Sequence, residues 1–173
     1  MCVIVFKPAG TEMPKNEIIR ACARANRDGF GFCTPTKFYK STSFERFREQ
    51  LAKVETDEPC IMHFRYATHG NVCKGNCHPF KQGDVYFAHN GVLSIRPYAG
   101  KTDSETAFLK YIYPAIAKHG FHSSEADKAI EDTIEGTRFA LMQGEDVRLF
   151  GDFKQIEGCF YSNERFMYYM YMF

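Results

Sequence analysis

The sequence has almost no excess of charge of either sign: 22 Lys and Arg stand against 21 Asp and Glu in 173 residues. No basic stripe therefore marks a nucleic-acid partner. No apolar run is long enough to span a bilayer, and the opening MCVIVF gives way at Lys7 with no signal-peptide pattern before it. Internal repeats and low-complexity linkers are also missing, so the expectation is a single domain over residues 1–173. Seven cysteines are an odd number for a disulfide framework. Free thiols in a reducing, cytoplasmic setting are the expectation.

What is present is an alternation of short strands with helices in pairs. Cys2 to Phe6 is β-branched and apolar, which predicts a buried strand. Ile18, Ile19, Cys22 and Ala25 recur at helical spacing up to the Asp28-Gly29 stop. Short strands follow near Phe30–Cys33 and Lys37–Lys40. Ser43 is placed to cap a helix carrying Phe44, Phe47, Leu51 and Val54. Pro59–Arg65 reads as a central strand, and a Gly-, Asn- and His-rich segment runs from there to Phe80. Asp84–Ala88 is a strand leading into His89-Asn90-Gly91. Helices are expected from Asp103, interrupted at Pro114, and from Ser123 or Ser124 to Glu135. Strands are expected at Thr137–Met142, Val147–Phe150 and Cys159–Tyr161, with the aromatic tail Phe166–Phe173 as the last strand. This mixture predicts a layered α+β domain.

Several residues could carry chemistry, and each has a plainer role available. Loss of Met1 would leave Cys2 with a thiol and a free α-amino group. An α-amine titrating near roughly 7.7–8.0 can serve as base for its own thiol; Cys2 is equally a small residue suited to a buried strand. Arg65 leaves a strand for the loop Tyr66-Ala67-Thr68-His69-Gly70, where a guanidinium fork can clamp a carboxylate or form a structural ion pair. Asn90-Gly91 can supply two oxyanion donors or a hairpin turn. Asp103 can cap a helix or hold a substrate ammonium. Cys60, His63, Cys73, Cys77 and His78 fit no standard zinc spacing, and Cys60 and His63 fall on opposite faces of a strand, so no metal and no cofactor are expected.

Taken in order, Cys2, RYATHG, Asn76-Cys77-His78-Pro79, HNG and Thr102-Asp103-Ser104-Glu105 resemble the class II glutamine amidotransferases. The segment from Arg65 to Gly91 is most similar to the glutaminase domain of glucosamine-6-phosphate synthases. The resemblance implies an N-terminal-nucleophile hydrolase fold, a four-layer αββα sandwich of two antiparallel sheets. It implies Cys2 as nucleophile, Asn90 and Gly91 as oxyanion hole, Arg65 on the α-carboxylate of glutamine and Asp103 on its α-ammonium. Thr68 and His69 would line the pocket, with His78 near its mouth and Tyr66 near the ammonia exit. Asn26-Arg27-Asp28-Gly29-Phe30-Gly31 is closer to short stand-alone members, some of which hydrolyse γ-glutamyl peptides or amides. No second domain is evident after the tail, so the ammonia would go to a partner synthase subunit or be released. A chain that keeps Met1 would lack the base, leaving a glutamine-binding or partner-binding module.

Overall fold

The computed structural model describes residues 2–68 and 70–170. Two antiparallel sheets form its centre. The first has the order β3-β2-β4-β1-β10-β9, from β1 (Val3–Lys7), β2 (Gly29–Cys33), β3 (Phe38–Ser41), β4 (Cys60–Arg65), β9 (Lys154–Ile156) and β10 (Cys159–Tyr161). The second has the order β5-β6-β7-β8, from β5 (Phe80–Gln82), β6 (Val85–Asn90), β7 (Arg138–Gln143) and β8 (Asp146–Phe150).

Period-2 alternation decides which side each residue serves. Val3 and Val5 of β1 and Cys60, Met62 and Phe64 of β4 face an outer core shared with α1 (Asn16–Ala25) and α2 (Phe44–Leu51). Ile4 and Ile61 face inward, where they meet Tyr86, Ala88, Ala140 and Met142 of the second sheet. On that sheet's other face, Val85, Phe87, Phe139 and Leu141 pack against α3 (Asp103–Ala107), α4 (Tyr113–His119) and α5 (Ser124–Ile134). The layers therefore run helix, sheet, sheet, helix, as the resemblance implies.

The helices start where their caps dictate. Ser43 Oγ accepts from Arg46 N–H at 3.4 Å and Ser123 Oγ from Ala126 N–H at 3.1 Å. At α3 the cap is Thr102, whose Oγ1 accepts from Glu105 N–H at 3.1 Å, and Asp103 is left free of that duty. Pro114 does not interrupt its helix. A π turn over Phe108–Ile112 joins α3 to α4 and places Pro114 within the first turn of α4, where a missing N–H costs little.

The aromatic tail corrects the sequence expectation. Arg165–Met170 is a 3-10 helix, and Phe166, Met167, Tyr169 and Met170 sit against the outer core beside α1. Their spacing is helical, while their aromatic content had favoured a strand. Residues 171–173 lie outside the described residues. Among the described residues no helix is long and apolar enough to cross a membrane.

Candidate active site

Residues far apart in the chain meet at one end of the two sheets. Cys2, Arg65, Tyr66, Thr68, His78, Gly91 and Asp103 line one cavity, together with Ala67, His89, Thr102 and Ser104. Its volume is about 30 Å³, room for water and not for an amino acid. His69 lies outside the described residues.

Strand parity explains the convergence. Cys2 precedes β1 in register with inward-facing Ile4, and Arg65 ends β4 in register with inward-facing Ile61 and His63. The Cys2 thiol is half-buried; its Sγ accepts from Tyr66 N–H at 3.3 Å and lies 3.5 Å from Tyr66 O. Burial raises the Cys2 pKa above its ordinary value, opposed by the Tyr66 N–H and the positive charge of Arg65. A thiol so placed needs a base to become nucleophilic. Asn163 Nδ2 donates to Cys2 O at 2.8 Å and fixes the backbone from which that thiol projects.

Arg65 is buried, and its Nη1 donates to Asn71 O at 3.1 Å. Asp103 presents its carboxylate from the start of α3; Oδ2 accepts from Leu93 N–H at 2.8 Å. Tyr66 is 48% exposed and forms the cavity's solvent side. Asp28 Oδ2 accepts from Ala67 N–H at 2.8 Å, which ties the Asn26–Gly31 turn to the cavity loop. Gly31, in β2 just after that turn, is obligatory in steric terms, because a Cβ there would collide with the carbonyl oxygen of His78.

Gly91 lines the cavity, and any side chain at 91 would run into Thr137. Asn90 is buried one position earlier, on the inter-sheet face. Its Nδ2 is 2.8 Å from Ser162 Oγ, while its Oδ1 has no partner among the described residues. Ser162 Oγ also accepts from Ile4 N–H at 2.8 Å.

Three buried histidines cluster here, His78 and His89 in the cavity lining and His63 beside His78. His78 lines the cavity and is 5% exposed, its ring 4.2 Å from that of His63 and 4.4 Å from that of Phe80. Burial lowers the pKa of His63 to about 3 and of His89 to about 4, and holds that of His78 well below the usual imidazole range. All three are therefore neutral near pH 7. Among the described residues no group of three or more His, Cys, Asp or Glu side chains could hold a metal ion.

Sequence reasoning missed Ser104, Ser162, Asn163 and the His63–His89 pair. Ser162-Asn163 directly follows β10, the strand paired with β1, and that adjacency was the one available signal.

The comparisons with known proteins follow the same lines. The family model described as "Glutamine amidotransferases class-II" matches residues 20–152. The chain is 33% identical over 103 residues to the isomerizing glutamine–fructose-6-phosphate aminotransferase of Lactococcus lactis subsp. lactis (strain IL1403), a match covering 51% of this chain and 17% of that protein. The aminotransferase of the same name from Streptococcus agalactiae serotype V (strain ATCC BAA-611 / 2603 V/R) is 33% identical over 100 residues, covering 50% of this chain and 16% of that protein. The chain thus spans a small part of these relatives' length. Among solved structures, glutamine phosphoribosylpyrophosphate amidotransferase from B. subtilis, complexed with ADP and GMP, superposes with a TM-score of 0.61 at 16% identity. That match covers 93% of this chain and 41% of the other.

Proposed function

Since the chain belongs to the class II glutamine amidotransferases, we propose that it hydrolyses the γ-amide of glutamine to glutamate and ammonia once Met1 has been removed. One observation carries the reading: Cys2, Arg65, Gly91 and Asp103, drawn from both sheets and a helix, line the same cavity.

The chemistry follows from what each group offers. The α-amine of Cys2 takes the thiol proton, and the thiolate attacks the amide carbon. The carbonyl oxygen becomes an oxyanion, stabilised by Gly91 N–H and the Asn90 amide. The Asn90 amide can reach this role by turning over. With Oδ1 accepting from the Ser162 hydroxyl, its orphan oxygen is satisfied and Nδ2 is freed for the cavity. The intermediate collapses as the leaving nitrogen collects the proton held by the α-ammonium, giving ammonia and a Cys2 thioester. Water then attacks the thioester, releases glutamate and returns the proton to sulfur. Arg65 and Asp103 hold the two ends of the amino acid, with Thr68 on the pocket wall. Because the cavity holds only about 30 Å³, admission of glutamine requires it to widen. The ammonia goes to a synthase partner.

A second reading, hydrolysis of γ-glutamyl amides or peptides without a partner, draws on the Asn26–Gly31 turn. Intact mass establishes whether Met1 is gone. Glutaminase assays beside assays on a γ-glutamyl anilide then separate the two readings. A Met1-free protein that hydrolyses neither sinks both.

A further inference from the structure

We propose that His89 is a positioning residue for the carboxylate of Asp103, acting through Ser104, and that this link tunes the site to substrates bearing an α-ammonium group. The proposal rests on the glutaminase reading and adds to it a residue and a basis for selectivity.

The geometry is a chain of two contacts. His89 shares its strand face with Val85 and Phe87, so its ring turns to the α3 layer. There Nδ1 lies 2.7 Å from Ser104 Oγ, and Ser104 Oγ donates to Asp103 Oδ1 at 3.3 Å. Ser104 has a single hydroxyl proton, and Asp103 Oδ1, which can only accept, takes it at 3.3 Å. Ser104 Oγ is left to accept from His89 Nδ1–H. That fixes the tautomer and leaves Nε2 bare; it is buried, has no partner among the described residues and lies on the Gly91 side of the ring.

The strand that carries the ring is also held, and the ring packs on an aromatic neighbour. His63 Nε2 lies 3.0 Å from the carbonyl oxygen of His89, which joins β4 to β6 at this point. The ring stands edge-on to Phe139, 5.2 Å between centroids. His89 therefore orients Ser104 without freedom of its own.

The neutral state of the ring matters as much as its position. Burial keeps the imidazole uncharged, although the nearby Asp103 carboxylate works the other way. An imidazolium here would form an ion pair with Asp103 and compete with a substrate ammonium. A neutral donor acting through a hydroxyl orients the carboxylate and leaves its full charge for the ligand.

The test compares L-glutamine with glutaramate, which keeps the amide and carboxylate but lacks the α-amino group. Asn at 89 can present an N–H near the Nδ1 position, whereas Gln presents its amide near Nε2. His89→Gln and Ser104→Ala should each lose roughly tenfold or more in kcat/KM for glutamine, through KM, yet less than about twofold for glutaramate. His89→Asn should recover most of the loss, and the double variant His89→Gln/Ser104→Ala should be no worse than either single one. Melting temperatures of all variants show whether the fold is kept, and Ser104→Ala carries the test if His89→Gln does not fold. Equal losses on both substrates, or an Asn variant as poor as the Gln variant, overturn the proposal while the glutaminase reading stands. A wild-type protein inactive on both substrates overturns that reading and this inference with it.

Discussion

Asn163 and Cys2 are 161 residues apart in sequence, yet the side-chain amide of one donates to the backbone carbonyl of the other at 2.8 Å. This bond orients the Cys2 peptide, the one that carries the proposed nucleophile. Asn163→Ala should leave the protein folded, with its melting temperature lowered by a few degrees at most, about 1 kcal/mol of stability. It should cut kcat roughly tenfold or more, because small displacements of a nucleophile are costly. An Ala variant with full kcat would reduce the contact to a structural tie.

Cys2 should be the only thiol that a diazoketone analogue of glutamine labels. Cys22, Cys33, Cys60, Cys77 and Cys159 are all buried, and burial raises every one of their pKa values. Cys73 is exposed and is the fair competitor. Iodoacetamide should therefore reach Cys73, while the glutamine analogue selects Cys2 and abolishes activity. Peptide mapping after each reagent is the measurement, and analogue label on Cys73 with activity lost would move the nucleophile.

Arg65→Lys replaces a planar fork with a point charge at a buried site. The glutamine KM should rise at least tenfold, with kcat changed less. A variant that lost kcat at constant KM would show that Arg65 serves the reacting centre and not the end of the substrate.

Asn90→Asp keeps size and turn preference but offers the oxyanion a negative charge. We expect kcat to fall by about 10²–10³ with near-normal glutamate binding. Thermal melting and glutaminase rate on one preparation decide it. Retained activity would return Asn90 to the role of a turn residue.

Stability should fall as the solution is acidified below pH 6.5. His63, His78 and His89 all have lowered pKa values in the folded state, to about 3 for His63 and about 4 for His89. The unfolded chain binds their protons near pH 6.5, the folded chain only well below that. Their contribution is complete above pH 6.5 and is lost as pH drops toward the folded values, at up to about 1.4 kcal/mol per pH unit for each ring. His78→Phe keeps the stacking on His63 and Phe80 and removes one titrating ring. Its melting temperature should depend less steeply on pH between 7 and 5. Parallel curves for variant and wild type would mean that other groups set the acid limit.

Much of this was legible in the residues. The helical spacing of Ile18, Ile19 and Cys22 gave α1, and the ordered motifs around Arg65, Asn90 and Asp103 pointed to one site. The family match and the layered fold bear out that general reading. Individual residue roles rest on the proposals above. Edge strands β5 and β9 are three residues each, too short to show a period. The Ser162 and His63–His89 contacts were out of reach for another reason. They join positions 158, 72 and 26 residues apart through hydroxyl and ring groups that have no sequence periodicity.

The seam between the sheets gives the site a property that none of its residues has alone. Cys2 precedes and Arg65 ends a strand of one sheet, Asn90 ends and Gly91 follows a strand of the other, and Asp103 opens the helix layer beyond. The seam itself is made by a small set of side chains: Ile4, Cys33, Ile61, Tyr86, Ala88, Ala140 and Met142. A partly folded chain with both sheets formed but undocked would hold every reactive group and still be inert toward amides. Its thiol would stand apart from Asn90, Gly91 and Asp103, the residues proposed as oxyanion donors and as half of the amino-acid clamp. On the proposed mechanism, hydrolysis therefore requires the two sheets to be docked, and a molecule with the sheets apart would release no ammonia.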